Sequence, residues 1–214
     1  MSNLHLSAKR LERGFCPLEF FELFKSDPMS RQGRYDDING RDIGSVMSKV
    51  GWLFADTPVT VGIMSGGNTA VAVGFAAPIV LDDSPGRPGN FDGINLSYAV
   101  HSAHEGHGYG LAAACLALQD AQAMWGEGLE GAFLSIQTRA ANARSNALVG
   151  ALGGELCEES SFVAMLANGN RLDYSGFRLP WETALRRAEA IVRGLSFLEH
   201  TNELAQESPE PAPG

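Results

Sequence analysis

A strand pattern, the turn Glu105-Gly106-His107-Gly108-Tyr109-Gly110 and a helical pattern follow one another directly between Ile94 and Trp125. Glycine at every second position lets backbone N–H groups turn inward without interference from a Cβ. Together with the N-terminus of the following helix, such donors make an anion site suited to a pyrophosphate. Two other phosphate-binding patterns are excluded. A P-loop needs a closing Lys-Ser/Thr pair, and Gly110 is followed by Leu111-Ala112. A dinucleotide fingerprint spaces its glycines GxGxxG after the first strand of the chain, whereas here they read GxGxG after a later one. The bland alternative is an ordinary strand-to-helix connection. His101, His104 and His107 recur every third residue, but across a strand end and a loop rather than on one helix face. No acidic-histidine pattern completes a ligand set, so no metal site is expected. Cys115 falls on an apolar helical stripe and reads as core rather than nucleophile.

The elements that must position this turn can be read on either side of it. Ile94, Leu96, Tyr98 and Val100 alternate with Asn95, Ser97, Ala99 and His101, a strand with one apolar face. After the turn, Leu111, Cys115, Leu118 and Trp125 form a helical stripe that ends among Gly126, Gly128 and Gly131. Phe133 to Gln137 predicts a strand, and Ala141 to Leu152 a helix stopped by Gly153-Gly154. Glu155–Leu166 and Arg171–Leu179 predict a hairpin about Asn168-Gly169-Asn170. Pro180 opens a last helix with Trp181, Ala184, Leu185, Ala188, Ile191, Val192 and Leu195 on one side, Trp181 reading as core.

Upstream, the pattern predicts a short strand at Leu4–Ala8 and helices at Leu18–Phe24 and about Asp36–Phe54, the phenylalanines of the first being core. Strands follow at Val59–Met64 and Thr69–Leu81, joined by the turn Ser65-Gly66-Gly67-Asn68, with Gly74 and Pro78 suggesting a bend or an edge. Asp82–Asn90 reads as a loop. The order is β-α-α-β-β-β-α-β-α-β-β-α, a mixed α/β (α+β) domain with helices on a sheet that is only partly parallel. Residues 1–199 make one domain, and 200–214 form a Glu-, Ser- and Pro-rich disordered tail.

Composition narrows the function classes. The 214 residues are 44% hydrophobic and 19% charged, and the formal charge is −9. Nucleic-acid binding needs clustered Lys and Arg, which this balance argues against. An acidic surface is compatible with an amine-bearing substrate. No apolar run is long enough to span a membrane and the start lacks the apolar segment of a signal peptide. Cys16, Cys115 and Cys157 form no CxxC pair, so a reducing, cytoplasmic setting is expected.

The run Tyr98 to Gly110 resembles motif A of the GNAT acyltransferases, a strand ending in Val, a short loop, then Gln/Arg-x-x-Gly-x-Gly/Ala. Gly108 and Gly110 occupy its two small positions, and Glu105 stands where Gln or Arg is usual. Downstream, Asn142, Ser145, Leu148, Val149, Leu152 and Gly153 are similar to motif B, in which Val149 replaces a frequent Tyr and Gly154 replaces Phe. The resemblance covers Leu96 to Glu155, and the missing Tyr is closer to the ribosomal-protein N-terminal acetyltransferase branch than to the aminoglycoside branch.

The resemblance implies a mostly antiparallel sheet splayed at two parallel strands, with acetyl-CoA as co-substrate. Main-chain groups of Tyr98, Ala99 and Val100 would pair with pantetheine amides. Glu105, Gly106, His107, Gly108, Tyr109, Gly110 and Leu111 would hold the pyrophosphate, with Asn142 and Ser145 reaching the pantetheine arm or a catalytic water. A deprotonated amine of a small molecule, peptide or protein would attack the thioester, the base being Asp92, His101, or a water ordered by Asn95 and Ser97. A non-catalytic acyl-CoA-binding module, and an unrelated α/β protein whose turn holds another phosphate, are the alternatives. Exposed strand edges would allow a homodimer.

Overall fold

The computed structural model describes residues 6–10, 59–65, 70–79, 92–165, 169 and 171–195. The helices expected at 18–24 and 36–54, most of the turn at 65–68, the loop at 82–90, both asparagines of the turn at 168–170 and the tail at 200–214 lie outside the described residues.

Among the described residues seven strands form one sheet: β1 (Leu6–Arg10), β2 (Val59–Ser65), β3 (Ala70–Ile79), β4 (Gly93–Val100), β5 (Phe133–Arg139), β6 (Glu155–Met165) and β7 (Arg171–Pro180). Their order is β1-β2-β3-β4-β5-β7-β6. Every neighbouring pair is antiparallel except β4 with β5. Three helices are described: α1 (Tyr109–Trp125), α2 (Ala143–Leu152) and α3 (Trp181–Arg193). Among the described residues the mixed order matches the sequence pattern element for element, with ends displaced by at most two residues.

The alternation of β4 decides which face carries the core. Ile94 and Leu96 are buried, and Tyr98 and Val100 pack against the same cluster. α1 lies across β2, β3 and β4 and against α3. Five alanines of α1, at 112, 113, 114, 117 and 121, are fully buried, so the helix backbone sits close to the sheet. Gly74 makes that approach feasible: a Cβ there would overlap the Ala113 carbonyl. Gly74 therefore marks neither a bend nor an edge, since β3 pairs on both sides of it. Pro78 does stand beyond the last β2 rung, Val59 with Ala76, where a missing N–H costs β3 no bond to β2.

Cys115 is wholly buried, and burial pushes its thiol up to about 12. Trp181 is buried as expected and donates from Nε1 to Gln122 Oε1 at 2.7 Å, tying α3 to α1. At the far side, β6 is an outer strand carrying exposed Leu156, Phe162, Val163 and Met165. Its ladder with β7 jumps from Cys157–Gly176 to Phe162–Tyr174, an irregularity that sequence alternation does not announce.

Candidate acyl-CoA site

β4 and β5 begin side by side and then part. Their parallel ladder consists of Gly93–Phe133, Ile94–Leu134 and Asn95–Ser135, and goes no further. Beyond it, β4 continues to pair with β3 up to Val100, while β5 pairs with β7 up to Arg139. A wedge therefore opens in the sheet between Leu96–Val100 and Ile136–Arg139. The five-residue stretch Leu96–Val100 spans roughly 16 Å at about 3.3 Å per residue.

The glycine turn lies at the open end of this wedge. After β4 the chain makes a 3₁₀ turn at Ser102–His104, then Gly106 and Gly108 adopt φ of 81° and 82°. Such values are strained for any residue with a Cβ. Gly108 is the N-cap of α1 and its carbonyl accepts from Ala112 N at 3.0 Å. Gly110 packs the helix start onto the strand end, since a Cβ there would fall 2.7 Å from Val100 Cγ2. The opening turn of α1 thus aims backbone N–H groups at the 105–108 segment, and no side chain of Gly106 or Gly108 fills the concavity. Unpaired backbone donors of this kind are what an oxyanion such as a diphosphate would need.

Three histidine rings border the turn. His107 Nδ1 lies 2.9 Å from the Glu105 carbonyl and 3.3 Å from that of His104. Carbonyl oxygens only accept, so Nδ1 carries the proton in a neutral His107 ring. That ring stacks on Tyr109, with centroids 5.4 Å apart. Burial, followed by the nearby His101 and His107, lowers the pKa of His104.

α2 flanks the wedge from the β5 side. Asn142 is its N-cap, with Oδ1 accepting from Ser145 N at 3.1 Å. Asn146, a residue that motif reasoning did not single out, donates to the Ala140 carbonyl at 3.0 Å and is bonded to Thr138 Oγ1, which fixes α2 to the end of β5. The 138–146 spacing on a strand end and a helix start was its only sequence signal. Glu105 is ion-paired with Arg144 of α2, so turn and helix are joined across the mouth of the wedge. Val149 is buried and leaves no hydroxyl at the position of the motif's frequent Tyr. A Cβ on Gly154 would overlap Val149 Cγ1, so the two departures from motif B form one packing arrangement.

Tyr98 and Val100 meet Gly110 at the start of α1, and the Arg144–Glu105 pair joins the turn to the helix end that carries Asn142 and Ser145. Of the proton-transfer candidates, Asn95 and Ser97 share one face of β4, and Asp92 and His101 lie beyond its two ends. Asn95 and Ser97 are exposed on the sheet face opposite α1, at the closed end of the wedge. Asp92 precedes β4, about 26 Å of strand from Val100. Ala103 N donates to His101 Nδ1 at 3.2 Å, which places the proton of a neutral ring on Nε2.

No protein-family model matches the chain, and no curated protein matches it by sequence. Solved structures match it in three dimensions. RimJ from Mycobacterium smegmatis in complex with CoA-disulfide is 14% identical, covers 88% of this chain and 90% of its own, and gives a TM-score of 0.57. Ribosomal-protein-alanine N-acetyltransferase from Brucella melitensis is 16% identical over 81% of this chain and 98% of its own, at 0.53. A spermidine N-acetyltransferase SpeG chimera from Vibrio cholerae and hSSAT is 13% identical over 85% and 98%, at 0.57. At these identities the likeness is one of architecture, and the architecture of this chain is the GNAT acetyltransferase fold.

Proposed function

We propose that this chain is a GNAT N-acyltransferase that moves an acetyl group from acetyl-CoA to a primary amine, and that residues 1–199 form its single domain. The observation that carries the reading is the wedge between β4 and β5 with the glycine turn at its open end. An acyl-CoA offers a diphosphate joined to an extended arm with two amides, and the site offers an anion cradle joined to an extended strand edge. With the diphosphate at 105–111 and the arm along Val100 to Leu96, the thioester falls near the closed end, beside Asn95. There an N–H of β4 would polarise the carbonyl.

The amine nitrogen attacks the thioester carbon, the C–S bond breaks, and the CoA thiolate leaves. The ammonium proton passes to a water held by Asn95 and Ser97, and the thiolate takes a proton from solvent. Val149 cannot protonate it, so rate enhancement rests on positioning and carbonyl polarisation. The same buried Val149 is what favours the second reading, a module that binds acyl-CoA without turnover. The ribosomal-protein-alanine and spermidine N-acetyltransferases indicate the acceptors to try, a peptide with an N-terminal alanine and a polyamine. Exposed apolar residues on β6 are the observation behind a homodimer.

The test is incubation with acetyl-CoA and each amine, following free thiol and the mass of the amine product. Acetylated amine with stoichiometric thiol supports the enzyme. Acetyl-CoA binding with no amine turned over across the panel supports the module.

A further inference from the structure

Residues 88–138, which hold β4, the glycine turn, α1 and most of β5, contain no lysine or arginine. They do contain Glu105, at the mouth of a turn that, on the reading above, receives a diphosphate. A carboxylate and a phosphate in one cradle repel each other. The fold supplies a counter-charge from outside the segment: the Arg144 guanidinium, on the first turn of α2, pairs through Nη1 with Glu105 Oε2. The pair joins Arg144, on the first turn of α2, directly to the turn.

The two partners are unequally exposed. The Glu105 side chain keeps 14% of its surface and Arg144 keeps 71%. A guanidinium carries five N–H donors, and a bond from one nitrogen to one carboxylate oxygen leaves a fork suited to a second oxyanion. Glu105 is therefore placed as an anchor that neutralises itself and holds a cation at the cradle.

We infer that Arg144 is an anion-binding residue of this site, contacting diphosphate oxygens of acyl-CoA, with Glu105 as its positioning residue. The inference rests on the acyl-CoA reading of the 105–111 turn. It assigns the cationic contact to a residue outside the turn that the motif comparison did not select.

The contrast to exclude is a structural clamp, in which the pair merely ties α2 to the turn. The test is calorimetric titration of acetyl-CoA and of dephospho-CoA into wild type, Glu105→Gln, Arg144→Gln and Arg144→Lys, with a thermal midpoint for each. Loss of one charge-assisted bond at an exposed site predicts about tenfold weaker acetyl-CoA binding by Arg144→Gln. Arg144→Lys recovers part of it, and Glu105→Gln binds about twofold to threefold tighter because a negative charge has gone. Dephospho-CoA, which keeps the diphosphate, shows the same loss with Arg144→Gln.

Normal wild-type binding with unchanged affinity in Arg144→Gln overturns the assignment. So does weakening by Glu105→Gln equal to that of Arg144→Gln, which is the clamp. A loss that disappears with dephospho-CoA overturns the diphosphate as the group contacted. Absence of acetyl-CoA binding by the wild type overturns the acyl-CoA reading itself, and this inference with it.

Discussion

Asn142 can be both a helix cap and a ligand contact, and two substitutions separate the roles. Its Oδ1 accepts from Ser145 N at 3.1 Å, while its carbonyl accepts from Asn146 N at 3.0 Å. Asn142→Ala removes the side-chain acceptor, a loss of about 1 kcal/mol for an N-cap. For a domain of this size that lowers the melting midpoint by roughly 2–4 °C. Asn142→Asp keeps the oxygen, adds a negative charge favoured at a helix N-terminus, and leaves the midpoint at or slightly above wild type. It also removes the Nδ2 donor and brings an anion toward the cofactor. If Asn142 reaches the pantetheine arm, both variants lose acetyl-CoA affinity, by about fivefold for one neutral hydrogen bond and by more for aspartate. Melting curves with and without acetyl-CoA read both effects on one sample. Full acetyl-CoA affinity in Asn142→Asp would refute the ligand contact, and an unchanged midpoint in Asn142→Ala would refute the cap.

Three further outcomes test the packing and the electrostatics. Gly154→Ala destabilises by about 1–3 kcal/mol through overlap with Val149, and Val149→Ala in the same chain recovers part of that, giving a non-additive double-mutant cycle in denaturant melts. His104 has a folded-state pKa below the usual 6.5, so the stability it contributes is fully present above pH 6.5 and is lost as pH falls through the lowered value; His104→Gln flattens the midpoint-versus-pH curve in that window. Burial raises the pKa of Asp120 despite its 2.6 Å ion pair with Arg10, so the stability this group contributes is fully present below 3.8 and is lost as pH rises through the raised value. At neutral pH Asp120→Asn therefore leaves the midpoint intact or higher, whereas Arg10→Ala strips a part-buried carboxylate of its partner and lowers it more.

Local pattern carried most of the fold. β4 alternates cleanly because one face is buried under α1, and α2 announces itself by Asn142 at one end and Gly153, with φ of 85°, at the other. The glycine turn was legible for the same reason, since its backbone conformation excludes other residues at Gly106 and Gly108. What the sequence did not disclose depends on tertiary approach. Gly74 reads as a strand irregularity until α1 is laid across it. The departures at Val149 and Gly154 read as two losses, and are one contact. The Glu105–Arg144 pair spans 39 residues and no local pattern joins them. The proton-transfer candidates were the least legible: Asp92, Asn95, Ser97 and His101 are close in sequence, but an extended strand spreads them along its length, with Asp92 and His101 beyond its two ends.

The central claim is that the turn at the open end of the wedge binds the diphosphate of acetyl-CoA. Calorimetric titration of acetyl-CoA into the wild type and into Gly108→Glu tests it most directly, because Gly108 has φ of 82° in the cradle and glutamate adds both strain and a repelling charge. Wild-type binding on the order of micromolar, abolished in a Gly108→Glu variant that still melts cooperatively, is the result predicted. No binding by the wild type, or equal binding by both proteins, would contradict it and return the turn to a plain connection between β4 and α1.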